Sequence, residues 1–308
     1  MTGVLLLYCY YYLLWGVFLK LNMDIVVKAE ELRSLIDQSK SLGKTIGFVP
    51  TMGALHQGHI SLVNKASQMA DVIVVSVFVN PNQFNNADDL KNYPRTLDDD
   101  IKKLEGTACS ILYHPTVEEV YPEKDERIFD FGTLDKVMEG EFRPGHFNGV
   151  AQVVSRFFDL VQPDKAFFGE KDFQQLAIIK RMTEMLNYNI EIVPCSIVRE
   201  SDGLAMSSRN ALLDEEHRKE AVLISKTLFE SKKLIDTKNI KEVVNFVTEK
   251  INDSALLKVE YFNIVDGNTL QPVDDWSKSD YIVGCIAVFA DKVRLIDNLI
   301  YKTFHDEC

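Results

Sequence analysis

Residues 71–80, DVIVVSVFVN, are apolar at almost every position. A strand with one wet face alternates apolar and polar residues. A strand that does not alternate must be covered on both faces, which is the habit of parallel sheets flanked by helices. The neighbouring segments agree with this. Residues 45–51 (TIGFVPT) read as a buried strand, and 59–70 (HISLVNKASQMA) as a helix with Ile60, Val63 and Ala66 or Ser67 at inward spacing. Residues 96–104 read as a helix and 110–113 as a short strand. Residues 149–161 form a helix stopped by Pro163, 165–169 (KAFFG) a strand, 172–186 an amphipathic helix, and 190–198 the last strand of this half. Repeated strand–helix units with short connections predict an α/β fold with a Rossmann-like doubly wound parallel sheet. In such sheets ligands bind beyond the carboxyl ends of the strands, so the chemistry is to be sought along that edge.

The pattern changes after about residue 199. Residues 214–235 and 240–251 read as helices, and 259–265, 281–289 and 293–296 as strands, with 290–292 as a turn between the last two. The expected organisation is a large domain over 23–198 and a smaller C-terminal α+β domain over 199–308. Residues 4–19 (VLLLYCYYYLLWGVFL) are almost uninterruptedly apolar. That run is shorter than the ~20 residues of a membrane span. No basic residue precedes it and no small-x-small cleavage site follows it. A short signal anchor is one reading. The expectation adopted is a start at Met23, with residues 1–22 a start-site artefact and no membrane attachment. The net charge of −12 argues against a nucleic-acid partner. The five cysteines, Cys9, Cys109, Cys195, Cys285 and Cys308, lack any C-x-x-C spacing. This argues against a disulfide framework or zinc site and suits a reducing cytoplasm.

Two motifs fall at predicted strand ends, and a third reads as a loop. The first, PTMGALHQGH from Pro50 to His59, joins the first strand to a helix. Free N–H groups and the positive dipole end of a helix attract phosphate. Gly53 and Gly58 allow tight turns, and His56 and His59 set two imidazoles beside the anion site. The second, FGEKDFQQ, opens a helix, with Lys171, Asp172 and Gln175 spaced to share its first turn. A capping Asp with a solvated Lys is the plain alternative. The third, DGLAMSSRN, reads as a loop whose Ser207, Ser208 and Arg209 suit closure over a triphosphate; alone it would pass for a polar interdomain loop. A fourth stretch, NPNQF, follows the long second strand, and an acidic run comes after it. Gln83 in NPNQF can bind a hydroxyl or carboxylate without adding charge. Asp98, Asp99 and Asp100 are either a solvated helix start or, for Asp99 and Asp100, magnesium ligands. Arg143 and His146 of RPGHF either add positive charge or form a turn.

Together VPTMGALHQGH, FVNPNQF, YPRTLDDD, RPGHFNGV, FFGEKDFQQ and DGLAMSSRN, in this order, resemble the pantoate–β-alanine ligase family of the H-x-G-H nucleotidyltransferases. Asn82 stands in NPNQF where that family often has Met, and residues 1–22 have no counterpart in it. The resemblance implies ATP-dependent joining of pantoate to β-alanine through a pantoyl adenylate, in a cytoplasmic homodimer with Mg2+ accompanying ATP. It implies catalytic roles for His56, His59, Lys171 and Arg209, with His59 as proton donor. It implies ATP contacts from Met52, Gly53, Ala54, Leu55, His56, Gln57, Gly58 and His59, from Gly169, Glu170, Lys171 and Asp172, and from Val198, Met206, Ser207, Ser208 and Arg209. Gln83 and Gln175 would hold pantoate, Gln83 would also meet β-alanine, and the C-terminal domain would cover the site. The competing expectations are another H-x-G-H adenylyltransferase, whose nucleophile is a phosphate, and a catalytically silent ATP-binding module.

Overall fold

The computed structural model describes residues 23–303, so the readings of residues 1–22 and of Cys308 lie outside the described residues. The first strand–helix units run through β1 (Asp24–Val26), α1 (Ala29–Ser41), β2 (Ile46–Thr51), α2 (Gln57–Ser67) and β3 (Val72–Val77). Then come α3 (Ala87–Asn92), α4 (Leu97–Glu105), β4 (Cys109–Tyr113), α5 (Val117–Val120), α6 (Glu139–Phe142) and α7 (His146–Val161). β5 (Lys165–Gly169), α8 (Phe173–Met185) and β6 (Glu191–Cys195) complete the first sheet. Its six strands are parallel, in the order β1-β4-β3-β2-β5-β6. From β2 the chain builds outward to β3 and β4, then returns to place β5 on the other side of β2. The boundary between β2 and β5 is therefore the switch point of a doubly wound sheet, where a crevice opens at the carboxyl edge.

The unbroken apolar strands do have both faces covered. Phe48 and Val74 pack with Phe158 and Ile179 on one side, while their neighbours Val49 and Val75 pack with Leu112 and Phe167 on the other. All these side chains are essentially fully buried.

The C-terminal portion comprises α9 (Glu215–Glu220), α10 (Val222–Lys232), α11 (Ile240–Asn252) and an antiparallel sheet of β7 (Leu257–Asp266), β8 (Ile282–Ala290) and β9 (Val293–Lys302). Alternation along β8 divides its two faces. Ile282, Ile286 and Val288 pack with α10 and α11, whereas Val283, Cys285 and Ala287 join Met138 and Phe173 of the first unit. One small sheet thus serves as its own core and as a cover bonded to the larger unit.

The expected fold is found, with differences at the edges. The helix expected over 214–235 comes as α9 and α10, where hydrogen bonding tightens at Ala221 to an Ile224 N–H···O=C Ala221 bond of 3.1 Å. β6 stops at Cys195 rather than continuing to residue 198, and β9 runs on to Lys302 rather than ending at residue 296. Asp297 and Asn298 follow residue 296 and break its apolar run, yet both are buried within the strand. The sequence pattern assigns no element over 24–41. Here β1 is three residues long, and α1 buries only Leu32 and Ile36, so neither makes a strong periodic signal.

Candidate active site

A cavity of about 210 Å³ opens at the β2/β5 switch point. It is lined from β2 and α2 by Pro50, Thr51, Met52, His56, Gly58 and His59, and from β5 and the turn after it by Gly169, Lys171, Asp172 and Gln175. Val198, Met206, Ser207, Ser208 and Arg209 close it from the loop that follows β6. Three segments distant in sequence therefore meet where topology requires.

The turn after β2 depends on a buried carboxylate. Gly53 has φ +80°, and a Cβ there would lie 2.9 Å from Val77 Cγ1. The next residue, Ala54, is also left-handed at φ +49°. Asp100, fully buried on α4, accepts the backbone N–H groups of Ala54 (2.9 Å) and Leu55 (2.7 Å), while Lys103 donates to the Leu55 carbonyl at 2.7 Å. This geometry opposes the magnesium reading of the acidic run: both Asp100 oxygens hold the strained turn, and Asp99 points to solvent beside Lys102. Among the described residues no group of three His, Cys, Asp or Glu side chains is placed to hold a metal ion.

His56 then caps α2. Its Nδ1 accepts from Gly58 N–H at 3.1 Å, and its own backbone N–H donates to Nδ1 of His59 at 3.2 Å, a reciprocal capping box made by two histidines. With each Nδ1 an acceptor, each hydrogen sits on Nε2. The rings lie 4.0 Å apart. Burial and the Lys171 ammonium pull the His56 pKa down to about 4. Burial, His56 and Lys171 hold that of His59 well below the ordinary value. Both imidazoles are thus neutral N–H donors at neutral pH.

The amides are equally constrained. Gln83 ends a 3-10 turn, Pro81–Gln83, capped by Asn80. Asn80 is buried, donates to Gln83 Oε1 (3.2 Å) and to the Gly149 carbonyl (3.0 Å), and accepts from the Tyr121 hydroxyl (2.9 Å). Gln83 Nε2 faces Met52 Sδ at 3.0 Å. α7 lies so close that a Cβ on Gly149 would stand 2.2 Å from the Asn82 carbonyl oxygen. Arg143 donates to His146 Nε2 (3.3 Å), and His146 Nδ1 donates to the Gln83 carbonyl (2.8 Å). Burial and Arg143 lower the His146 pKa to about 4. The RPGHF stretch therefore holds the Gln83 turn in place.

On the remaining walls, the Lys171 ammonium lies 3.9 Å from Asp172. Ser208 donates to the Ala54 carbonyl at 3.0 Å, so the third loop spans the cavity mouth. Arg209 pairs with Asp89 at 3.0 Å, its guanidinium 5.7 Å from the Tyr93 ring centre. Val150, Val153, Val154, Phe157 and Phe78 make an apolar end beside Gln83.

Most expected residues converge here, but Gly53, Ala54, Leu55, Gln57 and Glu170 do not line the cavity. Leu55 is core, and Gln57 is exposed. Asn82 turns to Gln152. Sequence reasoning misses Asn80, Tyr93 and the valines of α7. Asn80 and Tyr93 lie within the motifs without an evident role, and the spacing of Val150, Val153, Val154 and Phe157 is that of any helix facing a core.

Cations and N–H donors converge at the carboxyl edge of the switch point, beside a helix N-terminus. That is the geometry of a nucleotide-phosphate site in a doubly wound sheet, and it places the chain among nucleotide-using α/β proteins. A sequence profile of the family described as pantoate-beta-alanine ligase matches residues 24–300. Pantothenate synthetase of Bacteroides fragilis is 54% identical over 280 residues, 91% of this chain and 99% of its own. That of Phocaeicola vulgatus is 55% identical over 281 residues, 91% of this chain and 100% of its own. The crystal structure of pantothenate synthetase from Thermus thermophilus matches with TM-score 0.85 and 40% identity, covering 91% of this chain and 100% of that one. The ligase from Francisella tularensis, solved with βγ-ATP and β-alanine, matches with TM-score 0.77 and 35% identity over 91% and 98%. The chain belongs to the pantoate–β-alanine ligase family. These relatives do not favour another H-x-G-H adenylyltransferase or a silent module.

Proposed function

We propose that this enzyme condenses pantoate with β-alanine at the expense of ATP, releasing pyrophosphate and AMP. The carrying observation is the cavity's polarity. Apolar Val150, Val153 and Phe157, the amides of Gln83 and Gln175, and the donors of His56, His59 and Lys171 line one cavity. A geminal dimethyl group, hydroxyls with a carboxylate, and a triphosphate call for those three environments. A phosphate nucleophile would require cations where the neutral amides stand.

In the first step a pantoate carboxylate oxygen attacks the α-phosphorus, the bond to the β-phosphate bridge breaks, and pyrophosphate departs. In the second, the β-alanine amine attacks the acyl carbon of the adenylate and AMP leaves. The first step brings anions together, so its barrier falls mainly through fixed donors and positioning. His56 and His59 supply neutral Nε2–H groups as hydrogen-bond donors to phosphate oxygens, His59 being the residue for which the family resemblance implies a proton donor. Lys171, held beside Asp172, meets the negative charge developing on the phosphates. Ser207, Ser208 and Arg209 hold the triphosphate, and Val198 lies by the adenine. Gln83 and Gln175 orient pantoate, and Gln83 also meets β-alanine. The C-terminal domain, 199–308, is read as the cover that keeps water from the adenylate. Among the described residues no set fits a magnesium ion by itself; Mg2+ enters as the counter-ion of ATP, and no step is assigned to it. The homodimer rests on the family resemblance. A cytoplasmic setting is supported by the cysteines among the described residues, Cys109, Cys195 and Cys285, which are free and buried. Among the described residues no helix is long and apolar enough to cross a membrane.

The test is AMP and pantothenate formation with ATP, Mg2+, pantoate and β-alanine, omitting each in turn. One AMP per pantothenate, dependent on both organic substrates, is expected. AMP formation without pantoate, or transfer of AMP to a phosphate acceptor, would overturn the reading.

A further inference from the structure

The turn that carries Lys171 is held from the far C-terminal strand. Asn298, on β9 and 4% exposed, donates from its Nδ2 to the Glu170 carbonyl at 2.8 Å and the Lys171 carbonyl at 3.0 Å. These carbonyls belong to the peptide planes on either side of the Lys171 Cα. Fixing both fixes the backbone from which the lysine side chain departs. Each hydrogen of the amide is spent on one carbonyl, so Asn298 has a directed task that packing alone does not require.

Asn298 is itself held. Its backbone N–H donates to Asp297 Oδ1 at 2.8 Å. Arg199 grips the Asp297 carboxylate with both terminal nitrogens, at 2.7 and 3.0 Å. Arg199 also donates to the Gly203 carbonyl at 3.2 Å, and its guanidinium lies 5.0 Å from the Phe229 ring centre. Arg199 stands at the root of the loop bearing Ser207, Ser208 and Arg209, where it pairs with Ala205 and where Met206 N–H donates to the Val198 carbonyl at 3.0 Å. Both segments that bring donors to the phosphate end, the Lys171 turn and the Ser207–Arg209 loop, are thus tied to the same two residues of β9. Asp297 is buried and fully engaged, so it leaves no spare charge in the site.

We propose that Asn298 is a positioning residue for adenylate formation: with Arg199 and Asp297 behind it, it sets the Lys171 ammonium relative to the Ser207–Arg209 loop. This rests on the role assigned to Lys171 above. A lysine that acts on a developing charge is sensitive to placement, since an error of about 1 Å costs on the order of 100-fold in rate. Asn298→Asp keeps shape and volume but turns an acceptor oxygen toward a carbonyl.

The test is a double-mutant cycle on the full-length enzyme with Asn298→Asp and Lys171→Ala, read as kcat and as KM for ATP and pantoate, with folding checked by circular dichroism. Asn298→Asp is expected to lower kcat about 10- to 100-fold while leaving KM for pantoate within about twofold. In the Lys171→Ala background the same change is expected to cost less than about twofold, because the group it positions is gone. A purely structural role would lower thermal stability and leave kcat of the folded enzyme intact. Arg199→Lys, which keeps the charge and loses the two-pronged grip, is expected to lower kcat about three- to tenfold with the same non-additivity. Wild-type kcat in either folded variant, or losses that multiply in full with Lys171→Ala, would overturn the proposal. Near wild-type turnover in Lys171→Ala alone would remove the lysine's role instead, which is a different failure.

Discussion

The backbone N–H of His56 donates to Nδ1 of His59, so the residue expected to transfer a proton is also part of a helix cap. The bond consumes the Nδ1 lone pair and leaves Nε2–H toward the cavity. Asparagine in place of His59 reproduces an acceptor near the Nδ1 position and removes the Nε2 donor, separating cap from catalysis. His59→Asn is expected to fold with wild-type stability to within about 1 kcal/mol and to lose on the order of 100- to 1,000-fold in kcat. His59→Ala should lose both. Because burial and Lys171 depress the His56 pKa to about 4 and hold His59 well below its ordinary value, these groups stay neutral through the physiological range. Adenylate formation, followed as pantoate-dependent pyrophosphate release in a single turnover without β-alanine, should show no acid limb near the ordinary histidine pKa of about 6.5. A rate that instead falls as pH rises through about 6.5, in a step absent from His59→Asn, would mean that the imidazolium is the working form.

Asp100 and Asp99 invite a sharper separation. Asp100 spends both oxygens on the left-handed turn leading to His56, whereas Asp99 is solvated. Asp100→Asn places an amide donor against a backbone donor. It is expected to cost about 1–3 kcal/mol in chemical denaturation and to lower kcat through the displaced turn, with the Mg2+ requirement unchanged. Asp99→Asn should change neither stability nor turnover measurably. If the pair were magnesium ligands, both variants would raise the Mg2+ concentration needed for half-maximal activity and leave stability alone.

The contrast marks what a sequence can disclose. The parallel sheet is legible because unalternating strands such as β3 have few other uses, and the carboxyl-edge rule then sets His56 and Lys171 along one edge, while Ser207 joins them only through the family resemblance. The role of Asp100 was not legible. Three consecutive acids at a helix start have the same pattern whether they face water or, as one of them does here, reach back to a strained turn 45 residues earlier. Asn298 was invisible for a related reason: a polar pair inside an apolar run looks like a strand's end, although it is where the strand meets the site. The apolar wall of α7 was hidden among core positions, since a helix lining a pocket and a helix lining a core share one periodicity. Long-range pairing of buried polar groups has no local signature.

Glu139 of α6 is bound by Arg294 of β9 through two hydrogen bonds, at 2.6 and 2.8 Å, and it accepts from the Tyr261 hydroxyl at 2.8 Å. Arg294 also binds Glu260, and Arg143 approaches Glu139 at 3.4 Å. Burial alone would raise the Glu139 pKa, but the hydrogen bonds and charge of Arg294 outweigh it and bring the value down to about 2. A carboxylate depressed in the folded state contributes stability above its unfolded pKa and loses it as pH falls through the folded value. The window here runs from about 4.5 down to about 2. The linked contribution at neutral pH is on the order of 3 kcal/mol. Glu139→Gln keeps the shape and removes the charge, so it should be destabilised by roughly that amount at about pH 7. By about pH 3 the wild-type carboxylate has surrendered more than half of its advantage, and the gap between the two proteins in urea unfolding should narrow accordingly. A gap that stays constant from about pH 7 to about pH 3 would mean that the ion pair between α6 and β9 adds nothing beyond the shape of its partners.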